Sequence, residues 1–338
     1  MEYRSGDTHT GARVTGAVLC VLLAVMVAGW LVRDVGAVDD PGRLWRYWAG
    51  YREAQLSAVP TTSADDVVLL LVYVVAAFAA LRSAVAGTAL VATGVVTLAV
   101  RLPALWNIGA SRMNARFSDD LRTRALICAF AALAVGIALI ITAGAGRRPP
   151  HDFSERTPTR PGRGARVTAF LLLGASGAVV IAWEIRQAVR FPFIYPDWFV
   201  GGDRLLLGLV DAPPGWHNAV LALLCVFAGT SALFHAVHAR PFGLIAAGFL
   251  LSVGVLGVVR AVHYRMLDHF ADLRTEDQLT LLSWFFETIA AAVVLIVLAR
   301  RGSTDDPAPP HQGYGQGYGY PRPGVFGPPP PSQPPPGW

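Results

Sequence analysis

Gly11-Ala12-Arg13-Val14-Thr15 returns as Gly164-Ala165-Arg166-Val167-Thr168, at a lag of 153 residues. At that lag Trp30 meets Trp183, Arg33 meets Arg186, Trp45 meets Trp198 and Pro60 meets Pro213. Arg112-Met113 and Phe117 meet Arg265-Met266 and Phe270. One residue then drops out, and Asp120-Leu121-Arg122-Thr123 returns as Asp272-Leu273-Arg274-Thr275. The chain reads as two copies of one unit.

The unit belongs in a membrane. Of 338 residues 54% are hydrophobic and only 15% charged, against about 25% charged in soluble domains. The apolar residues fall in eight blocks almost free of charge: 14–32, 67–82, 84–100, 122–143, 166–185, 218–237, 242–259 and 280–299. A spanning helix needs roughly 17–25 such residues, and in lipid its backbone must satisfy itself. The blocks lack the alternation of a membrane barrel. The first block exceeds a signal-peptide core, and its partner block lies mid-chain.

The expected fold is therefore an all-α integral membrane bundle of eight transmembrane helices, built as two tandem parallel four-helix repeats with a disordered C-terminal tail. Residues 1–13 form an N-terminal segment, 14–143 the first repeat and 144–165 an Arg/Pro-rich linker. Residues 166–300 form the second repeat and 301–338 the tail. An even number of spans per copy points both copies the same way, about an axis along the membrane normal. Small-residue pairs (Gly174 with Gly177, Gly243 with Ala247, Ala132 with Gly136) offer close helix contacts.

All the basic residues are Arg, the mark of a GC-rich bacterial genome, and the excess of them forms no basic, aromatic-interleaved patch for nucleic acid. Arg divides almost evenly between the two sides, so the orientation rule turns on the linker, with Arg147, Arg148, Arg156, Arg160 and Arg163. We place it, and both termini, on the cytoplasmic side of a bacterial plasma membrane. The tail, with Gly313-Tyr314-Gly315-Gln316 and Pro328 to Pro331, cannot bury a core. It reads as a solubilising segment, as bait for a proline-binding protein partner, or as a site for weak multivalent self-association.

Glu287, inside the last block, is the clearest chemical candidate, because an ionisable group in a span is costly. It reads either as a relay or polar anchor in a ligand cavity, or as half of an ion pair with Arg260 or Arg101. Arg101 and Arg260 stand at outer helix ends, where Arg snorkels to headgroups or meets an anionic ligand. The duplicated outer motif adds Arg112, Arg265, Asp120 and Asp272. Its Asp residues are expected to cap the following helices, or to form an outer ligand mouth with the Arg.

His235 and His238, spaced i, i+3 near the end of the sixth block, are weak metal candidates without a visible third ligand. No cofactor is implied, and a haem would need a second histidine at matching depth. Cys20, Cys128 and Cys225 read as buried structural thiols. The aromatic runs 45–48 and 191–199 suit interfacial pieces lying over the bundle. No GxSxG, HExxH or phosphate-loop motif occurs. The expectation is a non-enzymatic, transporter-like protein binding a small solute or lipid between its repeats toward the outer leaflet. The alternatives are a scaffold acting through its tail, and an intramembrane metal or redox enzyme.

Overall fold

The computed structural model describes residues 7–38, 40–51, 53, 59–83, 86–146, 162–205 and 207–300. The tail and most of the linker lie outside the described residues. The described chain is all-helical: α1 (Asp7–Ala37), α2 (Pro41–Trp48), α3 (Ala64–Arg82), α4 (Ala86–Arg101), α5 (Ala104–Asn107), α6 (Ser111–Asn114), α7 (Asp119–Ala145), α8 (Arg163–Arg190), α9 (Tyr195–Val200), α10 (Pro214–Leu233), α11 (Ala239–His263) and α12 (Thr275–Ala299), with a 3-10 turn at Phe270–Asp272. Eight of these are long and apolar enough to cross a membrane, the last turns of one of them running through α4 and α5. This is the build of a multi-pass membrane protein.

The helices outrun their apolar blocks because polar residues start and stop them. Asp40 accepts from Gly42 N at 2.8 Å ahead of Pro41, which opens α2. Ser63 and Asp66 make a reciprocal capping box for α3. Ser118 caps α7, its Oγ accepting from Leu121 N at 3.4 Å. Asp120, expected as the cap, instead lies within the first turn of α7, exposed and 2.8 Å from Arg124 one turn on. Asp272 closes the 3-10 turn and is exposed, and Arg274 occupies the N-cap of α12. A serine one residue ahead of the acids takes the cap in the first case; an extra turn separates acid from helix in the second.

Packing repeats in the two parts of the chain. α1 lies on α3 and α7, and α4 on α3 and α7. Likewise α8 lies on α10 and α12, and α11 on α10 and α12. Between the parts, α11 meets α3 and α4, and α10 meets α4. One apolar core runs through both, from Leu23, Leu69 and Leu139 to Leu173, Phe249 and Leu298. The outside is equally apolar: Val25, Leu71, Phe130, Ile141, Leu171 and Ile289 are exposed. Water would penalise such a surface and acyl chains would not.

Backbone approaches are closest where glycine replaces a side chain. A Cβ on Gly94 would stand 2.6 Å from Gly136 O, so α4 and α7 touch main chain to main chain. A Cβ on Gly254 would stand 2.7 Å from Thr288 N, which seals α11 on α12. Gly177 abuts Cys225 and Val226 on α10, and Gly243 abuts Leu298, as the small-residue pattern anticipates; a Cβ on Gly174 would meet nothing within 4 Å.

Hydrogen bonds sort the helix ends into two faces. Arg13 of α1 donates to Ala80 O at 2.8 Å and Ser83 O at 2.9 Å, and Arg240 of α11 donates to Ala299 O at 2.9 Å. These ends form the terminal face, named for the start of α1. Asp34 at the end of α1 meets Thr61 and Thr62 ahead of α3, and Trp216 of α10 donates to Ala99 O of α4 at 2.7 Å. These ends form the loop face.

Candidate functional site

At the loop face, ionisable side chains from both parts of the chain converge. Asp65 and Asp66 start α3, Arg101 ends α4, His217 starts α10, and Asp211 stands in the connection before α10. Arg101 and Asp66 form a buried ion pair, their side chains 8% and 3% exposed. Arg101 Nη1 also donates to Val210 O at 3.3 Å, and Asp66 Oδ2 accepts from Ser63 N at 2.9 Å. One guanidinium thus ties α4 to α3 and to the far part of the chain.

His217 Nδ1 lies 3.1 Å from Asp65 Oδ2, an ion pair only when the imidazole is protonated. The approach is off the hydrogen-bonding direction, and both ring nitrogens are buried without a hydrogen bond. Asp211 Oδ2 accepts from Gly208 N at 3.0 Å, while its Oδ1 is buried and unpartnered. Burial first, then the charges of Asp66 and Asp65, push the Asp211 carboxyl up to about 7 against the opposing pull of the Gly208 N–H and the Ser63 hydroxyl. Arg101, which pairs with Asp66, is the nearby countercharge.

A raised folded-state pKa gives a stability that is present at low pH and is lost as pH rises through it. Asp211 is protonated in the folded chain, but ionised in the unfolded chain, between about pH 4 and about pH 7. Purified protein should therefore lose thermal stability on going from about pH 5 to about pH 8, and Asp211→Asn should flatten that dependence. Parallel pH profiles of melting temperature for the two proteins check this; a wild-type profile as flat as that of Asp211→Asn contradicts the buried placement of this carboxyl.

The loop beside the cluster is anchored by Asp34. Its carboxylate accepts from Thr61 N and Thr62 N, both at 2.8 Å, and from both threonine hydroxyls, at 2.8 and 2.6 Å. Val210 N donates to Thr61 O at 3.2 Å, so the connection from the far part docks on this anchored loop. The same connection reaches the end of the third span: Trp106 Nε1 donates to Val200 O at 2.8 Å and Arg116 Nη1 to Leu207 O at 2.8 Å. Gly201 turns there at φ 88°.

The exchange is reciprocal. The α2 connection of the first part crosses onto α11. Arg260 Nε donates to Ala49 O at 2.9 Å and its guanidinium lies 5.3 Å above the Trp284 ring. Gly50, at φ 74°, leaves room that a Cβ would take 3.0 Å from Arg260 Nη2. Tyr51 stacks on His263 at 3.9 Å, and Glu53 pairs with His263 and accepts from Tyr264 at 3.1 Å.

A groove lies where α3 faces α11, with contributions from α4, α12 and Trp45 of α2. Its volume is about 690 Å³ and its walls are almost wholly apolar, among them Val68, Leu71, Val75, Leu244, Gly248 and Val255. Ser83 and Arg240 stand at its terminal-face end, and Ala64 and Trp45 at its loop-face end. Its α3 wall runs from Ala64 to Ala79 and on to Ser83, the length of a 19-residue helix, roughly 28 Å at 1.5 Å per residue, close to the hydrocarbon thickness of about 30 Å.

No protein-family model, curated protein or solved structure matches this chain. Its function has to be read from these two features.

The structure disperses the residues singled out in the sequence. Arg101 is in the buried cluster. Arg260 is in the α2–α11 contact. Arg112 Nη2 donates to Asn107 Oδ1 at 2.7 Å, under the connection after α9. Arg265 is exposed in a left-handed turn at φ 51° beyond α11. Glu287 is 5% exposed and has no hydrogen bond or ion pair among the described residues. It faces the Cys225 region of α10, so neither Arg101 nor Arg260 is its partner. Glu287 and Arg260 do not line the seam groove.

His235 and His238 do not share a helix face. α10 ends at Leu233, His235 turns at φ 60°, and His238 is the N-cap of α11, stacked on Phe227 at 5.3 Å. Among the described residues no three His, Cys, Asp or Glu side chains gather as metal ligands. Asp34, Asp66, Asp211 and His217 went unread in the sequence. They sit where loops meet spans, and charge there is ordinary; only the run Thr61-Thr62-Ser63 ahead of two acids hinted at a tightly capped helix start.

Proposed function

We propose that this membrane protein is a non-enzymatic, transporter-like binder of an amphiphile, with its site in the seam between two four-helix repeats. The carrying observation is the apolar groove of about 690 Å³ between α3 and α11, within the usual range for small-ligand sites. Elsewhere the helices close on one another to main-chain contact, as α4 does on α7 and α11 on α12. The seam is left open along the depth of the membrane and walled by aliphatic side chains, which suits a hydrocarbon chain and not a polar solute.

The tandem, parallel arrangement is supported by the matching order of long and short helices and by equivalent neighbours in the two parts. It is supported also by the reciprocal crossing of each long connection onto the third span of the other part, through Arg260 and Ala49 in one case and Arg101 and Val210 in the other. The cytoplasmic placement of the terminal face is supported by its arginines. The loop-face cluster would act as the clasp that holds the repeats together around their ligand.

The test is lipid extraction from protein purified in mild detergent. Wild type should carry a long-chain amphiphile near one per chain, and Gly248→Leu with Val75→Trp, which fills the groove, should carry about tenfold less. Equal amphiphile content in a folded groove-filled variant contradicts the proposal.

A further inference from the structure

The groove has a polar end and an apolar length, and among the described residues no carboxylate meets the charge at its polar end. Arg240 lines that end. One of its nitrogens donates to Ala299 O at 2.9 Å, and it has no carboxylate partner among the described residues. The whole terminal face shares this imbalance. Arg13, Arg82, Arg163, Arg166, Arg240 and Arg300 lie there, and among the described residues of that face the only acid is Asp7. At the loop face, by contrast, several arginines are matched to acids, among them Arg101 with Asp66, Arg122 with Asp119, Arg186 with Glu276 and Arg204 with Asp197.

We propose that the seam groove seats an acyl chain of an anionic phospholipid, its phosphate received by Arg240 and the chain running along Leu244, Gly248 and Leu251 toward the bilayer centre. The proposal rests on reading the groove as the ligand site, and it adds the chemistry of the ligand and the leaflet from which it enters. Val67, Leu71 and Val75 are exposed on the groove's outer wall, so a lipid chain enters sideways from the bilayer with no opening through the bundle. Guanidinium presents paired donors to phosphate oxygens. A phospholipid, and not a neutral lipid, is what an arginine with no carboxylate partner among the described residues recognises at the headgroup level of an apolar groove. The far end, with Ala64, Trp45 and Val255, offers no basic side chain to a headgroup.

Delipidated full-length protein would be titrated with phosphatidylglycerol and with phosphatidylcholine of the same acyl chains and followed by native mass spectrometry. Wild type is expected to prefer phosphatidylglycerol. Arg240→Gln should lower phosphatidylglycerol binding about fivefold, the effect of one basic residue on an anionic lipid, and lower phosphatidylcholine, whose phosphate is offset by its own choline, by less. Arg163→Gln, on the same face but away from the groove, should change neither. The groove-filled Gly248→Leu/Val75→Trp variant should lose both lipids. If Arg240→Gln keeps the wild-type preference, or Arg163→Gln removes it equally, the anionic assignment is overturned while the groove stands. If the groove-filled variant, shown to be folded by its melting curve, binds both lipids as wild type does, the groove reading itself falls.

Discussion

Arg101→Met should lower the folding stability of the purified protein by about 3–5 kcal/mol, the loss seen when one member of a buried ion pair is removed. The cause is what remains: Asp66, 2% exposed, is left without its guanidinium, with Asp65 next to it in the chain and Asp211 close by. The substitution also frees Val210 O, which Arg101 Nη1 holds at 3.3 Å, so the connection before α10 loosens as well. Asp66→Asn/Arg101→Met should recover most of the deficit, because no buried charge is then stranded and the asparagine can still cap α3. Tryptophan-fluorescence melting of the single and double variants reads both effects. A single variant within about 0.5 kcal/mol of wild type would mean that water reaches the pair.

The second large effect is steric. Gly254→Leu should destabilise the protein by about 1–3 kcal/mol or more, because even the first added carbon falls 2.5 Å from Thr288 Oγ1, 2.7 Å from Thr288 N and 3.0 Å from Trp284 O. Two of these atoms are main chain and cannot turn aside. α12 must move off α11, which also disturbs the Trp284 ring beneath Arg260 and hence the α2 connection. Gly29→Leu is the natural control, since an added carbon there meets nothing within 4 Å. Melting curves that put Gly254→Leu level with Gly29→Leu would show that α11 and α12 are not in main-chain contact.

The membrane class and the helix count were legible because each apolar block meets a physical threshold by itself: hydrocarbon thickness divided by rise per residue. Helix ends were less so. The sequence pattern extends the sixth span to residue 237, but α10 stops at Leu233, and the left-handed His235 follows. An apolar run continues through that turn, so composition carries no stop signal, and two histidines counted at helical spacing are not on one helix. Glu287 was recognised as a charge out of place, but its surroundings were not. The pairing of Arg101 with Asp66 joins residues 35 apart, and the docking of Val210 on Arg101 joins residues 109 apart. Contacts of that separation depend on which helices become neighbours, and periodicity within one helix is silent about neighbours. Nothing in the sequence singles out Arg240; only the opening between α3 and α11 gives it a groove to stand over.

The contact of α3 with α11 underlies both the groove and the lipid proposed for it. Intramolecular disulfide trapping in native membranes reports on it without purification. Val68→Cys with Gly248→Cys would be built after replacing Cys20, Cys128 and Cys225 by alanine; a Cβ on Gly248 stands 3.3 Å from Val68 Cγ1. Mild oxidation should join this pair within single chains in high yield, and should leave Val68→Cys with Ile181→Cys of α8 unjoined. No bond between α3 and α11, with ready bonding between α3 and α8, would mean that the two parts of the chain meet along a different seam.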